Sequence, residues 1–233
     1  MKAYVLTIKG NGRLVDGRLP SYPATLPPYE LVYATTTKDN IVIPTWYRNC
    51  ARFEPYPRTW CCWISKLKLI KEHINKYPDE DLLLLEDDVR FLPGFDVCYT
   101  SFMSKVPEDW GIIWLGGRHL STPREVVPGV LLCGKMCNTE CTIMRSTELP
   151  AIVSALESEH SSDGLYWSDQ VISSLRDTAP HYAPIRQFAW QQPGLISTIM
   201  QSPTSSENVF NFNYIDINNK INISTDKELL IYT

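Results

Sequence analysis

Apolar positions in this chain come in short blocks whose spacing alternates between strand and helix periods. Ala3-Tyr4-Val5-Leu6-Thr7-Ile8 is apolar and β-branched enough for a buried first strand, which breaks at the loop Lys9-Gly10-Asn11-Gly12-Arg13. A proline-bearing loop from Leu19 to Pro28 leads to a second strand, Glu30 to Thr36. Thr45 to Trp63 is rich in aromatic residues and arginines, among them Trp46, Tyr47, Arg48, Arg58 and Trp60. Pro55 and Pro57 predict irregular structure there. From Trp63 onward, Leu67, Ile70, Ile74 and Tyr77 predict an amphipathic helix that stops before Pro78. Leu82-Leu83-Leu84-Leu85 follows as a short strand buried on both faces, the pattern of an interior parallel strand.

Beyond it, Phe91 to Phe95 reads as a turn and Asp96 to Lys105 as a helix. Trp110 to Gly117 is another buried strand, running into a double glycine where backbone can approach a ligand closely. Val130 to Cys133 and Cys141 to Met144 resemble short strands around a turn. Leu149 to Leu156 and Trp167 to Leu175 are helical, with a Ser/Gly-bearing loop at 161–164 between them. His181 to Pro193 closes the compact region. Past Ser202, isoleucines and aromatics alternate with asparagines around Asn218-Asn219, a candidate hairpin.

The chemistry concentrates where the leucine strand ends, in Glu86-Asp87-Asp88. Three like charges after a buried strand are unfavourable unless a cation or several donors compensate them. Oxygen ligands at a rigid strand end suit Mg²⁺ or Mn²⁺, which one or two carboxylates hold together with substrate phosphates. The bland alternative is a solvated acidic turn. The carboxyl end of a buried strand, however, is where open α/β sheets bind ligands, and this favours a site. Asp88 is the candidate direct ligand. Glu86, two residues back along an extended strand, faces the same cleft, while Asp87 points away or contacts a ribose. Thr7, Lys9 and Arg13, at and beyond the end of the first strand, are the further candidate contacts to a nucleotide. The arginines and aromatics of residues 45–63 either stack on a base and clasp phosphate or simply cover the core.

Composition narrows the partners. The 233 residues, 44% hydrophobic and 21% charged, suit one large α/β domain. A net charge of −4 offers no overall attraction to nucleic acid or an anionic membrane. No apolar run approaches the ~20 residues of a membrane helix. The seven cysteines, without a leader segment, are expected as reduced thiols in a cytoplasmic protein, which leaves the sequon Asn222-Ile223-Ser224 idle. Cys133, Cys137 and Cys141 are equally spaced but lack the close pairing of a structural zinc site.

Three stretches in order carry a family resemblance: Cys62-Trp63-Ile64-Ser65-Lys66-Leu67, Leu84-Leu85-Glu86-Asp87-Asp88-Val89, and Trp110 to Gly116. Together they resemble the family 25, lipopolysaccharide-type glycosyltransferases of GT-A fold, with their Cys-x-Leu-Ser-His, Leu-Glu-Asp-Asp and Trp-Asp-x-x-x-Leu-Gly stretches. The match is clearest over residues 60 to 117 and fades after 145. Two positions depart from it. Lys66 stands in place of the histidine, so no imidazole role carries over, and Gly111 replaces the aspartate. The resemblance implies a GT-A-like, Rossmann-like α/β fold with a mixed, mostly parallel sheet. It also implies Mn²⁺ or Mg²⁺ and a nucleoside diphosphate sugar donor such as a UDP or GDP sugar. On this division residues 1–118 form the nucleotide-sugar half, 119–200 the acceptor half, and 201–233 a C-terminal extension with a small hairpin.

The expected reaction moves a sugar to an acceptor hydroxyl, on a glycan, with inversion; a modified-DNA acceptor would require steep salt dependence. Inversion needs a general base, and Asp169, on the first turn of a predicted helix whose N-terminus favours the ionised form, is the candidate. Asp163 is its substitute, and a capping role for Ser168 and Asp169 is the structural alternative. His181 stays outside the assignment. The rivals are a nucleotidyltransferase or phosphohydrolase using the same carboxylates, and a nucleotide-sugar-binding module without turnover.

Overall fold

The leucine strand is the centre of the molecule in the computed structural model, which describes residues 1–10, 12–50, 56–160 and 167–192. This strand, β3 (Leu82–Glu86), lies beside β1 (Lys2–Thr7), which in turn pairs with β2 (Tyr29–Tyr33); all three are parallel. On its other side β10 (Cys141–Met144) runs antiparallel and separates β3 from β5 (Ile112–Trp114). The sheet continues through β11 (His181–Pro184), β8 (Val130–Leu132) and β7 (Arg124–Val127), in the order β2-β1-β3-β10-β5-β11-β8-β7. The pairings leave six of the eight strands pointing the same way, with β10 and β8 reversed. This is the mixed, mostly parallel sheet expected.

All four leucines of β3 are fully buried. Leu82 and Leu84 enter the core shared with α2 (Tyr56–Lys76), α4 (Leu149–Glu157) and α5 (Ser168–Ser174). Leu83 and Leu85 enter the opposite core, against α3 (Phe95–Met103). Each such burial is worth roughly 1.5–3 kcal/mol, which fixes the strand end and the carboxylates on it.

The stretch read as irregular is largely helical: α1 (Thr45–Cys50) precedes α2, which already begins at Tyr56. Pro57 fits there because N–H groups of a helix's first turn have no intrahelical acceptor. The aromatics of this stretch form core. Tyr47, Trp60 and Trp63 are buried, Trp60 stacks on Trp63 at 5.8 Å, and Trp46 meets both edge-on. Their polar ends are used internally, Trp63 Nε1 on the Leu156 carbonyl at 2.9 Å and Trp60 Nε1 on that of Val42 at 3.0 Å. Of Arg48 and Arg58 in this stretch, Arg58 lines a ligand-sized cleft.

Two further expectations are corrected. Val130–Leu132 and Cys141–Met144 are not partners around a turn, because β10 is inserted mid-sheet whereas β8 pairs with β11 and β7. The double glycine admits the chain itself rather than a ligand. A Cβ on Gly116 would lie 2.8 Å from the Ala189 carbonyl oxygen, and one on Gly117, at φ 119°, would lie 2.8 Å from that of Asn138. These contacts lock two further pairs onto the sheet's end: β4 (Val89–Phe91) with β12 (Ala189–Gln191), and β6 (Arg118–His119) with β9 (Met136–Cys137).

Gly111 is also packing-driven, since a Cβ there would meet that of Ala179 at 2.5 Å and Glu148 Cγ at 3.1 Å. Gly111→Asp, which restores the residue of the resembling family, is therefore expected to overpack the site by about 1–3 kcal/mol. The melting temperature should drop by several degrees, and an unchanged value would show that the Ala179 segment gives way freely.

The predicted hairpin past Ser202 and the extension at 201–233 lie outside the described residues. No helix among the described residues is long and apolar enough to cross a membrane.

Candidate active site

Parallel pairing sets Leu6 beside Glu86, so the residues following each strand emerge at one edge of the sheet. There Thr7 Oγ1 donates to Asp87 Oδ2 at 2.7 Å. Arg13, from the loop after β1, spans the carboxylates: its Nη1 lies 2.9 Å from both Asp87 Oδ1 and Asp88 Oδ2. Gln191 Nε2, brought in by the β4–β12 pair, donates to Asp88 Oδ2 at 2.7 Å. The strand stops at Glu86, and Asp87-Asp88 form a turn. The alternation expected of an extended strand therefore does not apply. Asp87 and Asp88 share Arg13, while Glu86 faces α2 and accepts from Thr139 Oγ1 at 2.9 Å, with Lys66 Nζ at 3.4 Å.

Much of the compensation for the acidic triplet thus comes from the chain's own cations. Asp88 is only 1% exposed, and burial, followed by the charge of Glu86, pushes its carboxyl up to about 6 against the pull of Arg13 and Gln191. Its Oδ1 is buried without a hydrogen-bond partner among the described residues. No group of three or more His, Cys, Asp or Glu among them is arranged to hold a metal alone. An orphaned Asp88 oxygen beside Glu86 nevertheless fits an ion of the Mg²⁺ or Mn²⁺ kind, which takes one or two carboxylates and completes its shell with water and phosphate.

A second layer lies behind Glu86. Burial works against a charge on Lys66, yet the Cys62 thiol, Glu86 and Asp169 outweigh it and hold the ammonium above its ordinary range. Asp169 accepts from the backbone N–H of Asn138 at 2.5 Å and of Gln170 at 2.8 Å. Burial lifts its carboxyl above the usual range, although Lys66 and these N–H donors pull it down. The expected effect of a helix start is thus outweighed by burial. Trp167, not Ser168, occupies the N-cap, and it makes no side-chain cap bond. Asp163 lies outside the described residues.

His181 sits on β11 opposite Ile112, the first residue of β5, and its Nδ1 accepts from Trp114 Nε1 at 3.4 Å. That is the end of the sheet away from the carboxylates. Cys133, Cys137 and Cys141 are buried free thiols on separate segments, all raised by burial.

Glu140 is a site residue that no sequence motif marks. Its backbone carbonyl accepts from Glu86 N at 3.1 Å, and Asn138 Nδ2 donates to its Oε1 at 2.9 Å. Burial and then Glu86 raise its carboxyl to about 8. A carboxyl raised on folding keeps its proton while the unfolded chain loses it, so its contribution favours the fold at low pH and fades as pH rises from about 4.5 to about 8. Without metal, Glu140→Gln should therefore flatten the decline of melting temperature between pH 5 and 8. An identical slope in both proteins would show that Glu140 titrates normally.

The carboxylates open on a cleft of about 890 Å³ lined by Thr7, Lys9, Arg13, Arg58, Glu86 and Asp87, with Tyr33 and residues 34–39 along its far wall. Among the described residues assigned to metal, donor or base, Asp88 and Asp169 are not lining residues. Asp88 lies beneath Arg13, and Asp169 lies near Lys66.

No family model matches the sequence, and no curated protein does. Among solved structures, a glycosyltransferase involved in glycosylation of the major capsid of PBCV-1 is similar at TM-score 0.38 and 16% identity, over 78% of this chain and 82% of that one. The inositol-1-phosphate CTP transferase from T. maritima is similar at 0.36 and 14%, over 82% and 88%. A UDP-glucose pyrophosphorylase complexed with UDP-glucose follows at 0.35 and 8%, over 67% of this chain and 57% of its own. At these scores the likeness is loose, and nothing about reaction or ligand follows from it.

Proposed function

We propose that this protein is a metal-dependent glycosyltransferase of GT-A type, transferring sugar from a UDP or GDP sugar to an acceptor hydroxyl with inversion. The observation that carries this is one nucleotide-sized cleft lined both by Glu86 and Asp87 of the strand end and by Lys9, Arg13 and Arg58, with Asp88 beneath Arg13. Carboxylates beside basic side chains suit a diphosphate that arrives with a divalent cation, whereas either set alone would suit a free cation or a free anion. The ordered stretches over residues 60–117 support the family 25 variant of this reading.

Asp88 and Glu86 would hold Mn²⁺ or Mg²⁺, which when bound offsets charge on the departing nucleoside diphosphate. Thr7, Lys9, Arg13 and Asp87 bind and orient the donor. Asp169 takes the acceptor's proton, and burial lifts its carboxyl above the usual range, which makes it a stronger base.

The test is thermal shift with UDP, GDP and their sugars, each with Mn²⁺ and with chelator. A nucleotide at a hundred times its dissociation constant should raise the melting temperature by about 5–10 °C in Mn²⁺ only. No shift with any of them would sink the proposal. Where one binds, release of nucleoside diphosphate supports glycosyl transfer and release of pyrophosphate supports nucleotidyl transfer.

A further inference from the structure

The groups that hold the site's carboxylates from behind converge on one corner, between β9 and β10. Asn138 adopts φ 64°, a left-handed conformation that asparagine tolerates better than most residues. This turns its N–H onto Asp169 Oδ2. The next residue, Thr139, is fully buried, and its Oγ1 accepts from Lys66 Nζ at 2.5 Å while donating to Glu86 Oε1 at 2.9 Å. Lys66 is itself only 3% exposed, and neither it nor Thr139 is among the residues lining the cleft.

The direction of this chain is fixed by chemistry. An ammonium has protons and no lone pair, so the threonine oxygen must accept from Lys66 and its single proton is left for Glu86. With Oε1 held from behind, Glu86 presents the rest of its carboxylate to the cleft it lines. We propose that Thr139, backed by Lys66, is a positioning residue that aims Glu86 at the metal and donor, while the adjoining Asn138 N–H aims Asp169. The corner thereby sets both carboxylates in one frame. The inference rests on the transferase reading above and adds to it the residues that orient its carboxylates.

Thr139→Val keeps the shape and removes the hydroxyl, and Thr139→Ser keeps the hydroxyl. Calorimetric titration of the full chain with UDP and with GDP in Mn²⁺ should show Thr139→Val weakened about ten-fold or more, the scale set by residues that support metal ligands. Thr139→Ser should stay within about two-fold of the native chain, as expected where the hydroxyl alone matters. In a Glu86→Gln background Thr139→Val should add no further loss, because its effect passes through Glu86. Melting temperatures of all variants identify any that fail to fold, and for such a variant the Thr139→Ser to Thr139→Ala comparison takes its place.

Equal losses in both backgrounds, or native affinity in Thr139→Val, would overturn the positioning role and leave the transferase reading intact. A native chain that binds neither nucleotide in Mn²⁺ would overturn both.

Discussion

Asp169→Asn is expected to turn over at least about a hundred-fold more slowly than the native chain, the usual cost of losing a general base, with donor affinity within about two-fold. Asparagine matches the carboxylate in shape but cannot take the acceptor proton. Stability should also fall, because Asp169 is no ordinary helix cap: each oxygen accepts a backbone N–H, from Asn138 and from Gln170. The amide supplies one acceptor and turns its own N–H₂ on the second donor. A buried donor left unpaired costs about 1–3 kcal/mol, a fall of a few degrees to about 10 °C for a chain of this size.

On the proposed reaction the native chain should lose turnover on the acid side, since a base must be ionised. Burial lifts Asp169, so that limb should lie above the ordinary carboxylate range. Turnover number, nucleotide affinity and melting temperature together decide the outcome. Near-normal turnover would move the role to Asp163 or to a retaining mechanism. Lost turnover with a collapsed melting temperature would make Asp169 structural.

What the sequence makes legible here is what short-range pattern controls. Leu82 to Leu85 announce a strand buried on both faces because each leucine reports one core, and those are the cores they enter. Arg13 and Asp87 were each legible as candidate nucleotide contacts at a strand end, because parallel β1 and β3 end at the same edge, but their direct ion pair was not. Thr139, Glu140 and Gln191 were not, since they arrive through strand insertion and a long return. Gln191 meets Asp88 across 103 positions, which no local periodicity records. Lys66 was visible only as a departure from a motif; its significance depends on Thr139, placed beside it by the insertion of β10. The aromatic stretch was ambiguous for a related reason. Tryptophan suits a base platform and a core equally, and the indole hydrogen bonds that settle it as core run to distant carbonyls.

Asp88→Asn should remove metal-dependent nucleotide binding while sparing the fold. Partners one step from a metal already cost 10–100-fold in affinity when removed, so a direct ligand should cost about a hundred-fold or more. The fold should hold because the native carboxylate is itself uncomfortable: burial and Glu86 push it to about 6. A neutral amide relieves that penalty, still offers one oxygen to Arg13 or Gln191, and leaves Arg13 its bond to Asp87. The melting temperature without metal should therefore change little or rise. In the native chain an Asp88 that gains its proton near pH 6 gives up its charge, so Mn²⁺-dependent affinity should weaken as pH falls through that value. Calorimetry with UDP and GDP, in Mn²⁺ and in chelator, over pH 5 to 8 decides it. Native affinity in Asp88→Asn would take Asp88 out of the metal site and leave Glu86 and Asp87, the strand-end carboxylates that line the cleft, as the ligands to test next.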